Sequence, residues 1–407
     1  MPDPICPLTT TCLIAGGGPA GLMAGFLLAR VGVPVVVLEK HADFFRDFRG
    51  DTIHPSTLEV MRELGLLEAF LTLPHQKVDH ISGQFGPDRL RIADFGRLPV
   101  AAPYIAMMPQ WDFLNFIAEK ARALPNFRLD MSAAADDLIE ENGVIKGVRA
   151  VTPSGPLDIR ADLTIGADGR HSTIRERAGL IVKDLGAPMD ALWFRLARKP
   201  EDTDESLGHF ERGAGLVTIN RGGYWQCAYV IPKGGFADLQ ARGLDAFRER
   251  IAALQPFPGG VARLADVKSW VDVKLLSVAV DRLETWHKPG LLMIGDAAHA
   301  MSPIGGVGVN LAVQDAVAAA RILAGPLRAG RVTEADLAAV QRRRMWPTRV
   351  TQAIQTTAQR RIIGKVLAPE GGPIRAPWLL RQVTQWSWFR GRLGRLIGLG
   401  VQPEHIA

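Results

Sequence analysis

At 407 residues, with 47% apolar and 22% charged residues, the chain has the composition of a folded protein at a length where two domains are the first expectation, so intrinsic disorder is excluded. Three cysteines, Cys6, Cys12 and Cys227, form no CxxC pair and no ligand cluster, which excludes structural zinc and points to a reducing, cytoplasmic setting. The net charge of +6 is uneven: residues 331–407 hold 13 Lys and Arg against 4 Asp and Glu, or +9, which leaves −3 for residues 1–330.

In chain order, TTTCLIAG (9–16) reads as a strand, GGGPAG as a turn, LMAGFLLARVG (22–32) as a helix stopped by Gly32, and VPVVVLEK (33–40) as a buried parallel strand, together a βαβ unit. Residues 12–29 are long and uncharged enough to be weighed as a transmembrane or signal segment. No basic stretch precedes them, Asp3 does, and Gly-Gly-Gly-Pro interrupts helical continuity, so no integral membrane span is expected. Residues 54–71 and 110–124 read as helices, and 143–169 as a hairpin across a Ser-Gly turn that feeds a strand. Residues 187–232 are rich in β-formers, in WFRLAR (193–198), GLVTIN (215–220) and YWQCAYVIP (224–232). AFRERIAALQ (246–255) reads as helix, LLMIGD (291–296) as a buried strand and 315–327 as a helix leading to an Arg-rich end. A nucleotide-binding α/β domain assembled from three separated stretches, with a β-rich insertion and a helical tail, is the expected architecture. The basic tail carries Trp378, Trp386 and Trp388, which raises contact with a membrane surface or nucleic acid; we take the alternative, solvated basic helical faces with the tryptophans packed inward.

Three motifs carry the chemistry. In Gly16-x-Gly18-x-x-Gly21 the first glycine makes a tight turn, the second admits a pyrophosphate to the backbone, and the third lets helix pack on strand, while the helix N-terminus attracts the phosphate charge. Glu39, ending the next strand, is placed to accept hydrogen bonds from an adenosine ribose. The fingerprint does not separate NAD from FAD. The second motif is Ala167-Asp168-Gly169 running into Arg170, Ser172 and Arg175; the third is Gly295-Asp296 followed by Ala-Ala-His, Pro303, Gly305, Gly306, Gly308 and Asn310.

In this order and spacing, over most of residues 9–320, the three motifs resemble those of the group A flavin monooxygenases, the para-hydroxybenzoate hydroxylase-like family. The resemblance implies an α/β fold with a Rossmann-like FAD-binding domain, a β-rich substrate-domain insertion and a helical C-terminus. It implies an FAD-binding domain at 1–75, 101–182 and 266–345, a substrate-binding β-sheet domain at 76–100 and 183–265, and a helical cover at 346–407. FAD would be non-covalent and would contact Gly16, Gly18, Pro19, Ala20, Gly21, Glu39 and Lys40, with Arg49, Gln110 and Asp168 added by similarity. Asp296 resembles the ribityl ligand, and Gly306, Gly308, Val309 and Asn310 the flavin edge site, where a helix N-terminus stabilises negative charge without a titratable group. Pro303 would line the flavin face where oxygen reacts.

The activity implied is hydroxylation of a small aromatic or heteroaromatic substrate with NADPH or NADH and O2, through a flavin C4a-hydroperoxide. No second GxGxxG is present to bind the pyridine nucleotide separately. His54 is a candidate base or a structural cap, and Tyr224 a further catalytic candidate; Arg195, His209, Tyr224 and Gln226 are substrate candidates, of which strand alternation lets only about half face one side. A reductase, an epoxidase and a halogenase are the rivals on the same fold, although Cys227 to Pro232 lacks both tryptophans of the halogenase W-x-W-x-I-P signature. A non-catalytic FAD carrier is the rival from another class. No nucleic-acid partner and no metal are expected, and a homodimer stands as an open expectation.

Overall fold

The computed structural model describes residues 8–45, 52–203, 205–368 and 374–406. Its first strand, Leu8–Ala15, lies at the centre of an eight-stranded sheet, pairing in parallel with Val35–Glu39 on one side and Gly155–Gly166 on the other. Phe127–Met131 extends the sheet beyond Val35–Glu39, and Leu291–Met293 extends it beyond Gly155–Gly166, both in parallel. Parallel strands covered on both faces must be apolar throughout, and VVVLE is buried at every position. The long strand Gly155–Gly166 also closes the expected hairpin with Val144–Thr152, which carries Ala134–Glu141 at its edge.

The register decides where chemistry gathers. Ala15 pairs with Leu38 and Gly166, and Gly166 pairs with Met293, so the residues that follow, Gly16, Glu39, Asp168 and Asp296, leave the sheet along one edge. That edge is the carboxyl end of a parallel sheet, where α/β folds bind ligands.

A seven-stranded sheet forms the second layer: Lys274–Leu276, Met189–Ala197, Tyr224–Pro232, Ala214–Asn220, Leu207–Glu211, His80–Phe85 and Asp88–Asp94 in order. Its pairings are antiparallel except Leu207–Glu211 with His80–Phe85, which join in parallel across a long chain separation. One face carries Phe194, Leu196, Leu216, Trp225, Cys227 and Tyr229 into a core closed by Phe247 and Ile251 of the helix Leu244–Leu254.

The helix Gly308–Arg328 crosses the first domain; with the turn before it, Ile304–Arg328 is long and apolar enough to span a membrane, yet most of its apolar window is buried inside the protein. Thr333 and Asp336 form a capping box at the start of Glu334–Ala358, which continues into a π-helical turn, Gln359–Ile363. Three helices follow, Gly364–Leu367, Trp378–Val383 and Ser387–Gly398. The last of these lies flat on the second sheet: a β-carbon on Gly394 would sit 1.9 Å from the Asp94 carbonyl oxygen, so only glycine allows the approach.

The tail tryptophans do not pack inward as expected. Trp378, Trp386 and Trp388 are 71%, 62% and 63% exposed. The contact face of the last helix is made instead by Gly394, Gly398 and aliphatic Leu393 and Ile397, which leaves Trp386 and Trp388 at its exposed start, while Trp378 is exposed at the start of the preceding helix.

Candidate active site

At the first strand's end Gly16 adopts φ 109°, a conformation that disfavours any side chain. A β-carbon there would meet the Ala167 carbonyl oxygen at 2.4 Å, so the first and second motifs are in direct contact. Gly21 is also a contact position, its missing β-carbon lying 1.9 Å from the Gly16 carbonyl oxygen. Gly18 is different: nothing lies within 4 Å of where its β-carbon would be. It caps the helix Pro19–Arg30 through its backbone with no side-chain hydrogen bond, leaving the first N–H groups of that helix facing open space. This is the cradle an anionic diphosphate requires.

Glu39 is nearly buried and accepts the Gly17 N–H at 3.1 Å and the His41 N–H at 3.0 Å, which aims its carboxylate at the same turn. Lys40, beside it, is exposed. Ala20 touches the third motif, since a β-carbon on Gly295 would lie 2.9 Å from the Ala20 side chain. Asp168 receives the Ser172 hydroxyl at 2.5 Å and the Ile174 N–H at 3.1 Å. Burial nevertheless pushes its carboxyl above the usual range, against the pull of those donors. Asp296 retains 32% exposure and has Arg170 at 3.5 Å, joining the second and third motifs through a charge pair. Arg170 was visible in the sequence beside Asp168 without a role; the pairing supplies one.

The loop after Asp296 brings Pro303 onto a 3-10 turn, Ile304–Gly306, in which Gly305 has φ 80°. The Gly308–Arg328 helix that follows has no side-chain cap, so Gly308, Val309 and the Asn310 backbone present its N-terminus. The Asn310 side chain is used otherwise. Its oxygen accepts the His54 N–H at 2.9 Å and the Thr57 hydroxyl at 2.7 Å, and its nitrogen donates to the Thr52 carbonyl at 3.2 Å. Thr52 also donates to the Gly306 carbonyl at 2.7 Å. The segment 52–54 is thus clamped to the glycine loop. Arg49 lies outside the described residues, and Gln110 begins the helix Gln110–Arg122, half-buried.

His54 is fully buried, its Nδ1 2.9 Å from the Ile397 carbonyl of the last helix and its Nε2 without a hydrogen-bond partner among the described residues. Donation from Nδ1 to that carbonyl fixes the neutral tautomer with Nε2 as acceptor. Burial drives its pKa down to about 4, although the Ile397 and Gly305 carbonyls pull upward.

The strand registers sort the substrate candidates. Arg195 pairs with Gln226, and Trp193 with Ala228, so Trp193, Arg195, Tyr224 and Gln226 share one face of the second sheet. Met189 and Val230, on the same face, form an apolar cluster with Ile363, against which Ile304, the residue after Pro303, packs. Tyr224 is six residues from Val230, about 20 Å at the usual strand rise, with the Arg195 guanidinium 4.9 Å above its ring. His209 does not join them. It pairs with Leu216, which faces the helix-covered core, so His209 sits on the opposite side of the sheet.

Residues 9–354 match the sequence family described as FAD binding domain. The chain belongs to this family of FAD-dependent aromatic monooxygenases. Over 366 residues the monooxygenase is 32% identical to the 6-methylpretetramide 4-monooxygenase of Streptomyces rimosus, an overlap of 88% of this chain and 86% of that one. It is 25% identical to the para-nitrophenol 4-monooxygenase of Pseudomonas sp. (strain WBC-3), over 82% of this chain and 83% of that protein. Its fold matches that of PqsL, a probable FAD-dependent monooxygenase from Pseudomonas aeruginosa, with a TM-score of 0.73 and 24% identity over 86% of this chain and 96% of that one. The residues fit the cofactor: the open Gly18 turn suits its diphosphate, half-exposed Asp296 its ribityl hydroxyls, and the uncapped helix at Gly308 the electron-rich edge of its ring.

Proposed function

We propose that the monooxygenase hydroxylates a small aromatic or heteroaromatic ring at the expense of NADH or NADPH and O2, in a pocket between the Pro303 loop and the face of the second sheet turned away from the Leu244–Leu254 helix. The observation that carries this reading is the packing of Ile304 against the apolar cluster of Met189, Val230 and Ile363, because Met189 and Val230 lie on the same sheet face as Trp193, Arg195, Tyr224 and Gln226. A flat aromatic wall with a few polar anchors is what small aromatic ligands need.

Bound FAD supplies the redox and oxygen-transfer chemistry. The chain's own residues hold and orient it. Gly18 and the Pro19–Arg30 helix receive the diphosphate, Glu39 and Asp296 take sugar and ribityl hydroxyls, and the Gly308 helix start holds charge at the ring edge. Met189, Val230 and Ile363, with Ile304 against them, form an apolar patch beside the Pro303 loop. Of the two roles open to His54, the structural one is better supported, because at about 4 its pKa leaves it a weak base at neutral pH. The test is a panel of phenols and N-heteroaromatics scored for faster anaerobic bleaching of the flavin by NADH or NADPH. At least one member accelerating bleaching tenfold is expected, and uniform indifference to every aromatic compound would count against the reading.

A further inference from the structure

A cavity of about 510 Å³ opens beside the helix Glu334–Ala358, lined by Lys183, Arg282, Arg349, Arg360, Gln352 and Thr356 among others. Its volume falls within the about 300–1,000 Å³ of small-molecule sites. Four of its lining side chains are cations, and no carboxylate lines it among the described residues.

The arrangement concentrates positive charge: Lys183, Arg349 and Arg360 are exposed at its rim and Arg282 is half-buried. Lys183 and Arg282 stand directly opposite each other on antiparallel strands, a like-charge pair that weakens a ladder. The carboxylates nearest in sequence, Asp184 and Asp281, are the next pair along and therefore point to the other face, where Asp281 meets Arg175 at 3.8 Å and the Ala300 N–H. Arg349 adds a third positive charge; burial, and after it the charge of Arg349, disfavours the charged form of Arg282. Arg360, on the π-helical turn, adds a fourth, and such turns gather at functional sites. Arg282 is also held in place: its guanidinium donates to the Gln352 side-chain oxygen at 2.9 Å, while the Gln352 amide donates to the carbonyls of Asp281 and Ala300.

We propose that this cavity binds the phosphate groups of a nucleotide-sized anion. Guanidinium forks match phosphate oxygens in pairs, and a dianion here relieves the repulsion among four cations. The site is separate from the Gly18 turn, which lies at the carboxyl edge of the first sheet, and the inference does not depend on the reaction proposed above.

The test is calorimetric titration of the FAD-loaded full chain with inorganic phosphate, ADP and 2′,5′-ADP. Wild-type protein should bind at least one probe, and Arg282→Gln with Arg349→Gln should weaken that probe at least tenfold with FAD content unchanged. Arg360→Gln, on an exposed side chain, should give a smaller loss in the same direction and serves if the double variant does not fold. Tighter binding of ADP or 2′,5′-ADP than of phosphate supports a nucleotide ligand; equal binding of all three supports the phosphate site while discarding the nucleotide. Absence of binding by any probe, or binding indifferent to these substitutions, overturns the proposal. Neither result bears on aromatic hydroxylation, which the bleaching panel reads separately.

Discussion

His299 Nε2 lies 2.6 Å from Asp315 Oδ2, with both side chains shut off from solvent. The same carboxylate accepts the Gly295 N–H at 3.0 Å and the Arg344 Nε at 3.0 Å, and Arg344 reaches on to Glu404 at 3.2 Å. One aspartate therefore fastens the Gly-Asp turn, the Gly308–Arg328 helix and the tail to each other. Burial opposes its ionisation, but the charges and hydrogen bonds of His299 and Arg344 outweigh that and hold its pKa below the usual carboxylate value. Removing one member of a buried pair costs about 3–5 kcal/mol. Asp315→Asn should fall near the lower bound, since Glu404 still faces Arg344, and urea unfolding of the FAD-loaded protein reads it; a loss under about 1 kcal/mol would show the cluster to be incidental.

His54 makes a pH-dependent contribution with a definite sign. Its pKa drops from 6.5 to about 4 on folding, chiefly through burial. The unfolded chain thus binds the proton more readily, so the stability contributed by the neutral ring is complete above about pH 6.5 and is lost as pH falls towards 4. The span corresponds to about 3 kcal/mol. The stability difference between wild type and His54→Gln should shrink by that amount between pH 7 and 4, and a difference constant with pH would refute the assignment.

Gly18 and Gly21 should separate cofactor binding from folding. Gly18→Ala meets no protein atom and should leave the stability of the cofactor-free protein unchanged while weakening FAD, because the methyl group occupies the space left for the diphosphate. Gly21→Ala runs into the Gly16 carbonyl and should lower both. Cofactor titration with parallel thermal unfolding checks the pair, and equal effects from the two substitutions would contradict this account.

Asp296→Ala should cost about 1–3 kcal/mol of FAD affinity, roughly a five- to 150-fold rise in Kd, because a hydroxyl is left without its acceptor and Arg170 loses its partner. Fluorescence titration of apoprotein measures it. An unchanged Kd would remove Asp296 from the site.

The sequence made the parallel sheet legible because its motifs are local: a strand, a turn and the start of a helix each fit within a few residues of Gly16, Asp168 and Asp296. The cluster around Asp315 was not legible, since His299, Arg344 and Glu404 are joined only by folding; the one available signal was Gln314 and Asp315 within the buried, mostly apolar stretch of the helix. His54 could be read as a base or a cap, but its contact with Ile397 spans 343 residues and no pattern announces it. The tail tryptophans were misjudged for a related reason. Apolar spacing shows that a helix has a buried face, and it was small Gly394 and Gly398 that allowed the close approach instead.

The most direct test of the central claim is turnover under ¹⁸O2 with whichever aromatic compound speeds flavin reduction. One labelled oxygen atom in the ring-hydroxylated product is predicted, with the second recovered in water. Product whose new oxygen comes only from solvent water would contradict monooxygenation.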